Sequence, residues 1–412
     1  MKGNVIIGQS GGPTAVINSS LAGAIKASKK AGIPKIYGMH YGIEGFLKED
    51  IIDIDEYITC DSDLSLLKRT PSAFLGSCRY KLPGIEKNEA LYDKIFEILD
   101  KYHIEYFLYI GGNDSMDTIK LLSDYALLKG KNQKFMGIPK TIDNDLPLTD
   151  HTPGYGSAVK YIATSMKEII RDNESFGASR PTICIVEIMG RHAGWLAAAS
   201  VLSKDEDCSG PDLIYLPEVP FDLDTFIQKV TELAEKKSSV VIAVSEGLHL
   251  AAGTLVCEMD HASGYVDAFG HKLLSGCASF LARKVSEATG LKTRPIEFST
   301  LQRCASHMAS RVDVDEAYDV GYIAARSAFE GKTGMMVIIE VKEREPYMVS
   351  YHQYDIHEIA NVERKVPLHW IINDGTYVSE EFIEYAKPLI IGTMIPYYAQ
   401  GLPKHLTLKK PL

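Results

Sequence analysis

Short apolar runs that end abruptly recur along this chain, among them Val5–Gly8, Ile104–Ile110, Phe135–Ile138 and Ile183–Ile188. Between them lie longer stretches with apolar positions at helical spacing, and this alternation predicts parallel sheets with crossover helices. Strands are expected near 4–9, 35–39, 104–110, 134–138, 181–188, 212–216, 239–245 and 293–298. Helices are expected near 14–31, 87–102, 114–129, 155–173, 191–203, 222–237, 271–289, 302–309 and 313–331. Residues 335–360 read as a β hairpin whose alternation is broken by charges. The tail beyond it carries one apparent helix, SEEFIEYAK, and a Pro-rich apolar end, with partner packing and site capping equally open as its role. No internal repeat or low-complexity segment interrupts the pattern.

The loops that follow the apolar runs hold the candidate chemistry. Open α/β sheets place ligands beyond the carboxyl ends of their strands. After the first run stands SGGPT (10–14), a Gly–Gly turn into a helix start, where free amides and the helix dipole favour a phosphate. It is neither GxGxxG nor a P-loop, because no GK[ST] closes it, and such turns often do nothing chemical. After Ile104–Ile110 comes GGNDS (111–115), and after Phe135–Ile138 comes PKTIDNDLPLTD (139–150). Two acids one residue apart, Asp143 and Asp145, beside Lys140 and an acid-bearing glycine loop, suit metal-assisted transfer of an anionic group.

Taken in order, SGGP (10–13), FLGSCR (74–79), GGNDS (111–115), PKTIDND (139–145), MGRHAGW (189–195), SEG (245–247) and LQR (301–303) resemble the phosphofructokinase family. The matches cover the chain from its first strand to Arg303. The resemblance implies an α/β protein of two Rossmann-like domains with largely parallel sheets and crossover helices, plus a C-terminal extension. The expected division is a phosphoryl-donor domain at 1–155 and 301–334, a sugar-phosphate domain at 156–300 and the extension at 335–412. The turn at 151–157 would be the hinge between the domains, and the site would lie in their cleft.

Two positions bear on the phosphoryl donor. ATP-using members of the family carry small glycines where this chain has Asp114 and Lys140, whereas pyrophosphate-using members resemble this chain. The physics agrees: Asp114 would place bulk and charge where a nucleotide's α-phosphate lies, and Lys140 would neutralise compact pyrophosphate. A plain ion pair between Asp114 and Lys140 is the structural alternative. By resemblance, Asp143 takes the proton of the sugar 1-hydroxyl, Thr141 donates a hydrogen bond near the transferred group, and Asp145 orients Lys140, an arginine or Mg²⁺. Gly11, Arg79, Gly112 and Lys140 would bind pyrophosphate, and Asn113 with Asp114 would hold Mg²⁺. Met189, Gly190, Arg191, Glu246, Arg294 and Arg303 would bind fructose 6-phosphate together with Thr141 and Asp143. The resemblance places Arg294 in a neighbouring subunit's site, so a homodimer is expected, with a tetramer as the alternative.

The chain also departs from the family pattern. Asn113 replaces the usual first Asp of GGDDS, so it brings no charge to a cation. Thr182 and Thr300 replace an arginine and a histidine that usually contact the 6-phosphate. Strict selectivity for fructose 6-phosphate is therefore open, with sedoheptulose 7-phosphate as the longer alternative. Three other readings compete: an ATP-dependent phosphofructokinase, a non-catalytic sugar-phosphate-binding paralogue, and a nucleotide-dependent oxidoreductase. Asp114 and Lys140 disfavour the first, intact Asp143, Asp145, Arg191 and Glu246 the second. The third lacks GxGxxG and an acid at the end of the second strand.

Bulk properties add the remaining bounds. A chain of 412 residues, 45% of them hydrophobic, can bury cores for two or three domains. A formal charge of −10 argues against nucleic acid or an acidic membrane as partner. The opening MKGNVIIGQSGG reads straight into a strand, so no secretory leader is expected. Cys60, Cys78, Cys184, Cys208, Cys257, Cys277 and Cys304 form no CxxC pair, and reduced thiols in a cytoplasmic enzyme are expected. His192 reads as a turn residue and His151 as structural rather than metal-binding.

Overall fold

The computed structural model describes residues 3–176, 180–260 and 276–408. The chain divides into two compact units: Met1–Ser157, Arg303–Glu363 and Ile391–Leu412 form the first, Ala158–Gln302 and Arg364–Ile390 the second. Their larger sheets are built from β1 (Asn4–Gln9), β2 (Ile36–Met39), β3 (Ile51–Asp53), β4 (Ile104–Gly111), β5 (Lys134–Pro139), β6 (Thr182–Ile188), β7 (Leu213–Tyr215), β8 (Ser239–Ser245), β9 (Lys292–Glu297), β10 (Met335–Arg344) and β11 (Tyr347–Asp355).

The first sheet has the order β11-β10-β5-β4-β1-β2-β3. Its inner strands are parallel, β3 and β11 are antiparallel edges, and β10 runs parallel to β5. Successive residues of β1 feed opposite cores: Val5 and Ile7 pack on one face, Ile6 on the other. The first face is covered by helices Ile17–Lys30 and Arg311–Phe329. These two helices approach so closely that a Cβ on Gly23 would stand 2.0 Å from the Tyr318 carbonyl oxygen, and one on Gly321 2.0 Å from that of Ser20. Only glycine permits that backbone contact, which returns the chain after 303 to the first unit. Helices Glu89–Lys101 and Asn113–Leu128 cover the other face.

The second unit carries a parallel sheet of order β7-β8-β6-β9. Ile183, Ile185, Val240, Ile242 and Val244 pack under helices Leu223–Lys236 and Cys277–Thr289. The α/β class and the crossover helices expected from the apolar runs are therefore those observed. Two details differ. The helix expected at 191–203 begins only at Trp195 and tightens into a 3-10 turn over Ala199–Ser203, because 189–194 forms a turn rather than helix. That expected at 302–309 is two short turns, Leu301–Cys304 and Ser306–Met308. Residues 271–275, expected as helix, lie outside the described residues.

The chain beyond 334 is not a single appendage. β10 and β11 extend the first sheet, Arg364–Ile390 joins the second unit, and the rest returns to the first. The turn at 151–157 is firmly bonded within the first unit. Gly154 N and Ser157 N both donate to Asp313, each at 2.8 Å. His151, 1% exposed, bridges Asp150 at 2.9 Å and Glu316 at 2.6 Å, and Tyr347 and Arg344 brace those two acids in turn.

Burial alone would lower the His151 pKa, but Glu316 and Asp150 outweigh it and raise the value to about 9. The folded state thus holds this proton more tightly than the unfolded chain, whose histidine titrates near ~6.5. The stabilisation is complete below that pH and is lost as pH rises toward 9. Urea unfolding of wild type and His151→Gln from pH 6 to 9 should show a stability gap that is widest at pH 6. The gap should shrink with pH, at a limiting slope of about 1.4 kcal/mol per pH unit. A constant gap would mean that the buried imidazole is neutral.

Candidate active site

The loops at the carboxyl ends of β1, β4 and β5 are knitted together by hydrogen bonds. Buried Gln9 donates to Asn18 Oδ1 at 2.9 Å and accepts from Leu75 N at 2.9 Å, while Asn18 donates to the Thr70 carbonyl and accepts from Phe74 N. This apolar-walled amide pair fixes residues 70–75 beside the Gly–Gly turn. Gly11 N then donates to the Cys78 carbonyl at 3.0 Å, and Ser77 Oγ donates to the Gly11 carbonyl at 2.6 Å, which sets Arg79 next to that turn. On the other side Ser10 N donates to the Ile110 carbonyl and Lys140 N to the Gly111 carbonyl.

The acidic loop is equally constrained. Thr141 N donates to the Pro153 carbonyl, and Thr152 Oγ1 returns a bond to the Thr141 carbonyl at 2.8 Å. Asn144 is fully buried with φ 55°, a left-handed conformation that asparagine tolerates, and its Oδ1 accepts from Thr152 N at 3.1 Å. Asp143 and Asp145 therefore flank a pinned residue. Asp143 N donates to Thr141 Oγ1 at 3.0 Å, and that hydroxyl donates to Asp143 Oδ2 at 3.4 Å.

Lys140 is the central cation. Its side chain is 2% exposed, and its ammonium donates to the Gly12 carbonyl at 2.7 Å. Burial pulls its pKa down to about 7; Asp143 and Asp145 act against that shift, and Arg303 and Arg79 reinforce it. Five of the expected site residues, Lys140, Asp143, Asp145, Arg79 and Arg303, thus share one electrostatic field. Arg303 reaches the same turn, since a Cβ on Gly12 would lie 3.1 Å from its Nη1.

Asp114 pairs with Lys81 at 3.5 Å rather than with Lys140, so the simple Asp114–Lys140 ion pair is not formed. Asn113 does not stand as an uncommitted cation ligand. Its Oδ1 accepts from Asn361 N at 2.5 Å and its Nδ2 donates to the Val362 carbonyl at 2.8 Å, which makes it a brace for the 361–362 backbone. Neither Lys81 nor this brace was anticipated; the position of Lys81 two residues after Arg79 was the available signal. Among the described residues no three His, Cys, Asp or Glu side chains gather as a metal cage. The nearby carboxylates are few, Asp143 and Asp145 on either side of Asn144 and Asp114 at the adjoining helix start, a set that suits Mg²⁺, since that ion keeps few protein ligands.

In the second unit, Ile188 and Ser245 are register partners at the ends of β6 and β8. The loops after them therefore emerge side by side. Glu246 N donates to the Ile188 carbonyl at 2.9 Å, Ser245 Oγ donates to the Gly190 carbonyl, and Met189 N donates to Gln302 Oε1 at 3.3 Å. Met189, Gly190, Arg191 and Glu246 are brought together in this way. Arg294 is not: it pairs in register with Cys184, four residues back along β6. That is about 13 Å of strand away from Ile188. Its guanidinium bonds Asp172 at 3.0 Å and lies 5.6 Å from the Phe176 ring centroid. Ser245 and Gln302 are supporting residues that the sequence reading missed, although each sits inside a quoted motif.

Comparison with known proteins agrees with this arrangement. A family model described as phosphofructokinase matches residues 4–326. A pyrophosphate--fructose 6-phosphate 1-phosphotransferase of Halomonas elongata is 40% identical over 99% of this chain and 96% of its own length. A sulfofructose kinase of Alkalicoccus urumqiensis is 32% identical over 91% and 92%. The crystal structure of a pyrophosphate-dependent phosphofructokinase from Nitrosospira multiformis superposes with a TM-score of 0.88 at 36% identity, covering 100% of this chain and 99% of that one. With loops, strand order and relatives in agreement, this chain belongs to the phosphofructokinase family.

Proposed function

We propose that this protein transfers a phosphoryl group reversibly from pyrophosphate to the 1-hydroxyl of fructose 6-phosphate, giving fructose 1,6-bisphosphate and phosphate. The observation that carries the donor assignment is buried Lys140, held between the Gly–Gly turn and the acid pair, with Asp114 beside Lys81 on the adjoining helix start. A nucleotide would meet both the lysine and the added carboxylate; pyrophosphate needs the cation and no space beyond it. Near full-length relatives that carry this activity in their names support the reading.

In this mechanism Gly11, Gly112, Arg79 and Lys140 hold pyrophosphate, and Met189, Gly190, Arg191, Glu246 and Arg303 hold the sugar phosphate. Asp143 accepts the proton of the 1-hydroxyl as its oxygen attacks phosphorus, the bridging P–O bond breaks and orthophosphate leaves. Thr141 orients Asp143, and Lys140 stabilises charge on the transferred and leaving groups. Asp114 and Asp145 are the carboxylates that would hold Mg²⁺, which supplies further charge neutralisation on the phosphates. Arg294 is assigned to the acceptor site of a neighbouring subunit, so the working unit is a homodimer. Among the described residues no helix is long and apolar enough to cross a membrane.

Purified protein with Mg²⁺ and fructose 6-phosphate should turn over with pyrophosphate and not with ATP; turnover with ATP alone overturns the donor assignment. Sedoheptulose 7-phosphate offered in the same assay measures acceptor selectivity. Asp143→Asn should lower kcat by about 10²–10⁴-fold with little change in KM, as for loss of a general base. Near-wild-type kcat would remove that role.

With its pKa pulled down to about 7, the Lys140 amine is mostly neutral at pH 8. An anionic donor raises that pKa, so binding takes up a proton, and affinity falls as pH rises above 7. Calorimetry at pH 8 in two buffers of different ionisation enthalpy should show more proton uptake for wild type than for Lys140→Met. Equal uptake would show that Lys140 is already charged in the empty enzyme.

A further inference from the structure

The chain's two tryptophans, Trp195 and Trp370, meet edge to face, with ring centroids 6.1 Å apart at 89°. Trp195 ends the MGRHAGW turn, four residues after Arg191. Trp370 belongs to the Arg364–Ile390 segment, which packs within the same unit. The Trp195 ring is 2% exposed and also faces Tyr385 at 5.3 Å and Phe382 at 6.3 Å. Arg364 lies 4.6 Å from the Trp195 centroid, its carbonyl accepts from the indole Nε1 at 3.1 Å, and its Nη2 donates to the Tyr385 hydroxyl at 3.3 Å.

A carboxylate closes this clamp. Glu218 Oε1 accepts from Gly194 N at 2.8 Å and from Val366 N at 3.0 Å, so one oxygen ties the turn to the late segment. The fit is tight: a Cβ on Gly194 would stand 2.6 Å from Glu218 Oε2 and 2.8 Å from Leu216 Cβ. Oε2 itself is buried and has no hydrogen-bond partner among the described residues. Burial raises the Glu218 pKa. A carboxyl group is thus kept in an apolar setting for the sake of two backbone amides, a costly arrangement unless the geometry it fixes matters.

We infer that Glu218 and the Arg364–Ile390 segment are positioning elements that set the Met189–Arg191 backbone for the acceptor sugar phosphate as a whole. The inference rests on the acceptor assignment given under Proposed function. Loosening the clamp lets the turn that carries Arg191 relax, so acceptor affinity falls while the donor residues, which sit on other loops, keep their own. Glutamine at position 218 retains an oxygen for both amides, whereas alanine leaves both amides without their acceptor.

Both tryptophans lie in the clamp, so intrinsic fluorescence reports on it directly. Wild type, Glu218→Ala, Glu218→Gln and Arg364→Ala would be titrated with fructose 6-phosphate and, separately, with Mg-pyrophosphate. Glu218→Ala is expected to need about tenfold more fructose 6-phosphate, equivalent to ~1.4 kcal/mol, with pyrophosphate affinity unchanged. Glu218→Gln should recover most of the loss. Steady-state kinetics should show the same split, with KM for the sugar phosphate raised more than kcat is lowered. Arg364→Ala leaves both amide bonds in place and should weaken acceptor binding about threefold, a test that holds if Glu218→Ala fails to fold. Acceptor affinity equal to wild type in folded Glu218→Ala or Arg364→Ala overturns the positioning role. A wild type that binds no fructose 6-phosphate overturns the acceptor assignment itself, and the inference with it.

Discussion

The order of the first sheet reverses at its centre. From β1 the chain steps outward to β2 and β3, then returns to place β4 on the other side of β1. The loops leaving β1 and β4 therefore diverge, and no crossover connection covers the gap at their carboxyl ends. Every donor residue assigned above stands on that gap or on the loop of β5 beside it. The sheet order is in turn secured by backbone contact between helices Ile17–Lys30 and Arg311–Phe329, which needs glycine at 23 and 321. Without that contact the late helix would not cover the sheet, and Asp313 and Glu316 would not hold the turn that supports the acidic loop.

Within the gap, the electrostatic setting of Lys140 is what the proposed donor assignment rests on. An ammonium 2% exposed, between two acids and two arginines, is poorly stabilised as a charge until an anion arrives. Asp114 pairs instead with Lys81 at 3.5 Å. The proposed donor assignment therefore rests on two separately held groups, the buried ammonium of Lys140 at the Gly12 carbonyl and the carboxylate of Asp114 beside Lys81. The amide at Asn113 has a third task, bracing the 361–362 backbone, which explains how a neutral residue fits a position where the family usually carries an acid.

The late part of the chain is distributed according to what each piece can bury. β10 and β11 complete the first sheet with apolar residues on the inner strand, while Trp370, Phe382 and Tyr385 gather on Trp195 in the second unit. Trp195 is thereby shared between the motif that carries Arg191 and the aromatic cluster. That arrangement gives the tail a role for which periodicity offered no sign.

The sequence by itself determined the inner strands β1, β4, β5, β6 and β8, because each is a short apolar run, almost wholly buried, closed by glycine, proline or acid; the short edge strand β3 was not expected, and β9, KTRPIE, is half-exposed. It also determined the family and its motif residues, since Gly–Gly turns and paired acids after strands are local patterns that survive without coordinates. The tertiary structure decided which of those residues meet. Lys140 and Asp114 lie 26 positions apart in the numbering, and nothing local says that one bonds Gly12 and the other Lys81. Glu218, Gln302 and Asn361 act through bonds to distant backbone amides, or by offering their own, and backbone groups carry no signature in the side-chain pattern. Arg294 shows the same limit: strand register sets it beside Cys184 and Asp172 within its own chain, away from the loops after β6 and β8, a placement that the sequence pattern does not specify. Local sequence specifies elements through burial and turn chemistry; the partners of a buried charge or amide are specified only when the chain has closed around them.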